Sequence, residues 1–243
     1  MGTLAPIADN LHQIRARITE AALRAGRDPE GVQLIAVSKT HPPETVLSAW
    51  EAGQQDFGEN RPEEGAQKIP QVQALGATPR WHILGPIQRR KAPLVIAHFD
   101  YVHAVERLAV AEKLSGLAVA AGRELPILLE CNVSGEASKH GYALAGWEHD
   151  PDLRIAFFTA VRTLLALPGL RVEGLMTLAP ISDAPETVRP VFASLRALRD
   201  ALREQFPQHP WSQLSMGMSD DFEVAVAEGA TQVRIGRAIF GAR

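Results

Sequence analysis

Short apolar runs recur along the chain at residues 32–39, 55–58, 80–85, 100–105, 126–133, 170–178, 213–217 and 232–236, and longer segments separate them. Runs of this length rich in Val, Ile and Leu read as buried strands, and strands alternating with helices are the pattern of parallel βα units. The separating segments carry helical periodicity. Residues 184–206 place Val188, Phe192, Leu195, Leu198 and Leu202 at spacings of three and four and leave the arginines on the other face. Residues 106–121 behave the same way, as do residues 43–52, with Pro43 near the helix start. Eight strands in 243 residues predict a single α/β domain over residues 1–243. Its architecture is a (β/α)8 barrel of the TIM type, with an extra amino-terminal helix at about 8–25 flanking it. The alternative is an open doubly wound sheet. Residues 134–151 are the least patterned stretch and read as a long loop on the barrel face.

Composition removes several function classes. Lys and Arg total 25 against 28 Asp and Glu, and neither sign dominates a long stretch, so no nucleic-acid partner is expected. Cys131 is the only cysteine, which rules out an internal disulfide or a cysteine zinc site and fits a reducing cytoplasm. No run approaches the roughly 18 apolar residues of a membrane span. The amino-terminal residues mix charges into a helical period, unlike a signal peptide. "MGTLAP" has Pro6 where a myristoylation signal wants Ser or Thr. The eight histidines are scattered without ligand spacing, so no metal is expected.

"QLIAVSKTHP", at 33–42, ends an apolar strand in a lysine. If the strand runs 32–39, Ile35, Val37 and Lys39 share one face. Barrel active sites sit at the carboxyl ends of the strands, so register places Lys39 at the mouth. There, apolar walls disfavour the ammonium and leave a larger neutral fraction able to condense with an aldehyde. A strand-end lysine can equally snorkel to water or pair with a carboxylate. Its company argues for chemistry. Asn60, His82 and Asn132 collect near the same strand ends, although each also reads structurally: the asparagines as turn formers, His82 as a hydrogen-bonded core histidine.

The last two strands are more pointed. "LSMGMSDDFE" sets Ser215 and Ser219 around a glycine, with Ser219 suited to cap the following helix. "VRIGRAIFG" ends the final strand at Gly236, where bare amides can approach an anion. Barrels frequently hold phosphate after strands 7 and 8, and closure makes strand 8 the neighbour of strand 1. An aldehyde that also carries a phosphate suits both features, and pyridoxal 5′-phosphate is the obvious cofactor.

The segments "LIAVSKTHP", "FGENRPEE", "WHILGPIQ", "EASKHGYAL", "GLMTLAP", "LSMGMSDDFEVAV" and "GATQVRIGRAIFG" occur in this order from residue 34 to the carboxyl terminus. In them the sequence resembles the pyridoxal phosphate homeostasis proteins, whose fold type III barrel resembles the amino-terminal domain of alanine racemase. The resemblance implies that Lys39 is the internal aldimine lysine. It implies that Ser219, helped by Ser215, binds phosphate together with the backbone at Gly236 and Arg237. Arg234 would face the pyridine nitrogen, Asn60 would lie near the ring, and His82 and Met176 would line the pocket. A guanidinium there keeps the pyridine nitrogen unprotonated and weakens the ring as an electron sink.

"IQRRK" departs from the family pattern by carrying Arg90 in place of an amide, and Pro86 follows Gly85 where a polar residue is common. Arg89, Arg90 and Lys91 read either as a solvated helix face or as a surface that receives the phosphorylated cofactor. In alanine racemase a second acid/base group is a tyrosine from an additional β domain. This chain reaches Arg243 directly after the last barrel turn, and its tyrosines are Tyr101 and Tyr142. The resemblance therefore implies a monomeric carrier that delivers pyridoxal phosphate to apo-enzymes with no or weak catalysis. A racemase-like enzyme on amino acids is the alternative, and a Schiff-base aldolase using Lys39 is a third reading.

Overall fold

The computed structural model describes residues 4–241. The strands are β1 (Gln33–Val37), β2 (Asp56–Glu59), β3 (Arg80–Ile83), β4 (Tyr101–Val105), β5 (Leu125–Asn132), β6 (Tyr142–Ala143), β7 (Leu170–Met176), β8 (Gln213–Ser215) and β9 (Gln232–Ile235). The helices are α1 (Leu4–Arg24), α2 (Pro43–Glu51), α3 (Pro62–Ala74), α4 (Ala92–His98), α5 (Leu108–Ala120), α6 (Pro151–Leu165), α7 (Arg189–Gln205), α8 (Phe222–Ala227) and α9 (Arg237–Phe240). The sheet runs β4-β3-β2-β1-β9-β8-β7-β5, and a β4–β5 pairing closes it into an eight-stranded TIM-type barrel. Every pairing is parallel. The doubly wound alternative is thereby excluded.

Local chemistry explains where the elements differ from the sequence pattern. The segment read as a loop at 134–151 contains β6, whose Tyr142 and Ala143 pair with Cys131 and Asn132 at the end of β5. The long helix opens at Arg189 rather than near 184, because Pro190 suits a first turn and a short 3₁₀ turn over Pro185–Val188 precedes it. Its buried face is the expected one, Phe192, Leu195, Leu198 and Leu202. The first strand stops at Val37 instead of 39, since Thr40 has φ 68° and the His41 amide turns back to the Ser38 carbonyl at 3.0 Å. Lys39 is therefore aimed by a turn and not by strand alternation.

Alternation divides the side chains into two layers. Leu34, Ala36, Phe57, Trp81, Ile127, Leu129, Leu175, Val233 and Ile235 belong to one large apolar cluster shared with the helices. At about 1.5–3 kcal/mol for each large apolar side chain taken from water, this outer layer is the main stabilising element. The inner layer is partly apolar, with Tyr101, Ala104, Leu128 and Met176 in contact. It also buries His82, His103, Ser215 and Arg234. Helix α1 lies outside against α2, α8 and α9, burying Ile7, Leu11, Ile14 and Ile18 on one stripe.

Candidate functional site

The seam between β9 and β1 brings the lysine to the glycine loop. Ile35 pairs with Arg234 and Ala36 with Ile235, so the residues following the two strands emerge side by side at the mouth. A Cβ on Gly236 would stand 3.1 Å from the Val37 carbonyl oxygen, tighter than a side chain comfortably allows; glycine is what lets the strand ends approach. Lys39, half-buried, lies two residues beyond Val37. His41 packs its ring on Phe240 of α9 with centroids 5.0 Å apart. These two contacts tie the lysine's turn to the amides that open α9.

The loop after β8 joins the same seam. Gly217 has φ 96°, a left-handed conformation, and its carbonyl accepts the Arg234 amide at 3.0 Å. Ser219 lies in the following turn, half-buried. It is not the cap of α8: Asp221 holds that position, and its Oδ1 accepts the Met218 amide at 2.6 Å. The serine hydroxyl at 219 thus has no capping duty. Arg237 donates to both oxygens of Asp220, at 2.5 and 2.6 Å, which fastens the β8 loop to α9. With its guanidinium so engaged, Arg237 contributes its backbone to the seam.

Beneath the mouth, a polar chain crosses the barrel. Arg234 donates to Ser215 Oγ and, at 2.8 Å, to the Thr177 carbonyl. Ser215 Oγ lies 2.9 Å from His103 Nδ1, His103 Nε2 lies 3.0 Å from His82 Nδ1, and His82 Nε2 lies 3.0 Å from Asp56 Oδ1. Because β4 and β8 are not neighbours, the His103–Ser215 bond spans the interior. A guanidinium only donates, so one assignment uses each proton once: Arg234 to Ser215, Ser215 to His103, His103 to His82, His82 to Asp56. Burial first, then the fields of His82 and Arg234, push the His103 pKa well below the ordinary value, in keeping with a neutral ring in this chain. Burial lowers the Arg234 pKa to about 10, opposed by Asp221 and Glu130, which leaves it a cation at neutral pH.

These bonds relocate two residues named from the sequence. Ser215 is fully buried on Arg234 and His103, apart from the turn that carries Ser219. His82, also fully buried, stands level with the first residue of β4 and reaches the mouth only through His103 and Ser215. The hydrogen-bonded core histidine is the reading that fits. Met176 is buried in the inner layer against Tyr101 and Leu128, below the mouth. Asn60 immediately follows β2 and is half-buried. Asn132 is a turn former, its Oδ1 accepting from Ser134 Oγ and the Gly135 amide. The stretch of Arg89, Arg90 and Lys91 is a short 3₁₀ turn with Arg90 on Gln88 and Lys91 on Glu63.

Three groups escaped the sequence reading. His103 sits in a run that looks uniformly like a buried strand. Glu130 interrupts "PILLECNV", and an acid inside such a run was the available signal. The residue is 3% exposed, one carboxyl oxygen is without a partner, and its pKa is raised to about 7 by burial and by Glu106, against Arg234. Lys68, on α3, is buried with Glu59 directly under the Lys39 turn. Among the described residues no group of acids, histidines or cysteines could hold a metal, and no helix is long and apolar enough to cross a membrane.

Comparison with known proteins places this geometry. Residues 9–243 match the family model described as "Alanine racemase, N-terminal domain". A pyridoxal phosphate homeostasis protein from Escherichia coli strain K12 is 41% identical over 239 residues, covering 98% of this chain and 97% of the relative. The chain belongs to the pyridoxal phosphate homeostasis protein family. The protein of that name from Pseudomonas aeruginosa is 43% identical over 240 residues, covering 99% and 97% of the two chains. PipY of Synechococcus elongatus PCC7942, solved with PLP bound, superposes with a TM-score of 0.81 at 36% identity, covering 97% of this chain and 100% of its own. The barrel of the homeostasis family is thus the fold expected from the sequence motifs.

Proposed function

We propose that this chain binds pyridoxal 5′-phosphate, holds its aldehyde as an internal aldimine on Lys39, and serves cofactor homeostasis by storing it and handing it to apo-enzymes, with no or weak turnover of its own. The observation that supports this reading is the seam: Gly236 packed on the Val37 carbonyl brings the strand end that leads to Lys39 against the one that opens into the amides of Gly236 and Arg237. A phosphate suits that corner, where bare backbone at Gly236 can approach an anion and Ser219 in the adjoining loop would add a hydroxyl. When bound, the cofactor supplies an aldehyde that a primary amine can condense with, releasing water. Arg234 would meet the pyridine nitrogen as a permanent donor. Asn60 would lie beside the ring and Met176 under it, while Ser215 and His82 would act through Arg234 rather than on the ligand. PipY, solved with PLP bound, supports the same cofactor here. A monomeric, single-domain, cytoplasmic protein completes the proposal.

A racemase-like activity on amino acids is the second reading, favoured by Glu130, a buried carboxyl with a pKa raised to about 7 that could exchange a proton at neutral pH. Two measurements test the proposal. Protein mixed with pyridoxal phosphate should turn yellow, borohydride should fix the cofactor on the peptide containing Lys39, and Lys39→Ala should abolish the band. A wild-type protein that stays colourless overturns the reading. Incubation with L- and D-alanine in deuterated water should leave the α-proton in place; exchange at about 1 per second or faster, an ordinary enzyme rate, would favour the racemase-like alternative.

A further inference from the structure

The turn that carries Lys39 is gripped from below. Lys68 is 6% exposed, and its ammonium donates to the Ser38 carbonyl at 2.8 Å, to Glu59 Oε1 at 2.7 Å and to Glu64 Oε1 at 3.2 Å. All three donors of a lysine are then in use. Ser38 Oγ donates to the same Glu59 oxygen at 2.8 Å, and the Thr40 amide donates to the same Glu64 oxygen. The two residues flanking Lys39 are therefore both fastened to one buried cluster.

That cluster is poorly suited to stabilising the fold for its own sake. Two carboxylates share one ammonium, the Glu59 side chain is fully buried, and its second oxygen has no partner. Desolvation of such a group commonly offsets the Coulombic gain. What the cluster holds is unusual backbone: Thr40, a β-branched residue, has φ 68°, a left-handed conformation that such side chains seldom adopt. Strain of this kind persists only where surrounding contacts over-determine it.

We propose that Lys68 is the positioning residue for Lys39. Directly through the Ser38 carbonyl, and through Glu64 to the Thr40 amide, it holds the 38–40 turn with Thr40 in its left-handed conformation and so fixes the direction in which the Lys39 side chain leaves the barrel wall at the β9–β1 seam. This inference rests on the reading of Lys39 as the aldehyde-binding amine.

Two mild variants probe it. Glu64→Gln keeps the shape but weakens the hold on Thr40, and Thr40→Gly relieves the strain but frees the turn to take other conformations. Both leave the buried Lys68 ammonium and Glu59 in place, so both variants should fold. Stopped-flow mixing with pyridoxal phosphate should give the 1-to-1 band about tenfold more slowly for Glu64→Gln, the cost of losing one charge-assisted hydrogen bond. For Thr40→Gly the slowing should be about threefold. The Thr40→Gly melting temperature should equal or exceed that of the wild type, a divergence that a purely structural role would not produce. Capture at the wild-type rate by both variants overturns the inference, as does slowing that merely follows a lowered melting temperature. A wild type that forms no band overturns the cofactor reading instead. The positioning role is then judged by reductive methylation with formaldehyde and cyanoborohydride, comparing Lys39 with Lys113 by peptide mass across pH. An unchanged Lys39 profile in Glu64→Gln overturns it there too.

Discussion

The β9–β1 seam and the barrel interior below it solve opposite problems. At the seam, the proposed site is built from backbone: amides at Gly236 and Arg237, a glycine that permits close approach to Val37, and a turn that carries one lysine. In the interior it is presented by side chains hydrogen-bonded in sequence from Arg234 to Asp56. A loop-built site can admit and release a ligand. A chain of buried hydrogen bonds fixes the charge and direction of a single group, Arg234, and resists change, because each unmet partner left behind carries its full desolvation cost.

The largest effect should separate the two cations. Arg234→Met removes the donor to the Thr177 carbonyl, leaves Ser215 with His103 alone, and strands Asp221 and Glu130 near a site without positive charge. A cost of about 3–5 kcal/mol in urea unfolding at pH 7 is expected. Lys39→Ala, at a half-buried turn, should cost under about 1 kcal/mol while abolishing the cofactor band. Equal costs for the two substitutions would break the contrast between seam and interior.

That contrast also explains what was readable in the sequence. Seam residues come from contiguous motifs: Lys39 closes its own apolar run, and Ser219 and Gly236 lie in short glycine-bearing stretches whose chemistry is local. The strand-and-helix alternation similarly reports the barrel, since each element's period depends on nearby residues. The interior chain draws one residue from each of five strands, β2, β3, β4, β8 and β9, and only closure of the barrel reveals that His103 and Ser215 meet. His82 was visible as a histidine in an apolar run, but its depth depends on the stagger between β3 and β4. The Lys68 clamp was hidden for another reason. An isolated lysine on the periodic surface of α3 looks solvated until the end of β2 is placed against it.

Glu130 sharpens the comparison by pH. Its folded-state pKa, about 7, lies above its ordinary value of 4.5, so the folded protein holds a proton that the unfolded chain releases. The stability associated with this group is fully present below about 4.5, declines as pH rises toward about 7, and is gone above that. Glu130→Gln removes the titration. Relative to wild type, the variant should gain up to about 3 kcal/mol between pH 4 and pH 8, read from urea midpoints across that range. A constant difference would mean that the carboxyl is not held protonated by the interior, and the racemase-like reading would lose its proton carrier.

The smallest effect belongs to the seam's rim. Asp220 and Arg237 are both well exposed, so their ion pair is screened and should contribute no more than about 1 kcal/mol. Asp220→Asn should barely move the melting temperature if the seam is held by Gly236 against Val37 and by His41 against Phe240. Freed from its carboxylate, the Arg237 guanidinium can swing toward a phosphate at the amides beside it. Pyridoxal phosphate should then bind about twofold to fivefold more tightly at low salt, with the gain fading as ionic strength rises, whereas pyridoxal without its phosphate should bind unchanged. Weaker binding of both compounds would instead mean that the ion pair shapes the loop carrying Ser219, and that the rim is part of the site's architecture.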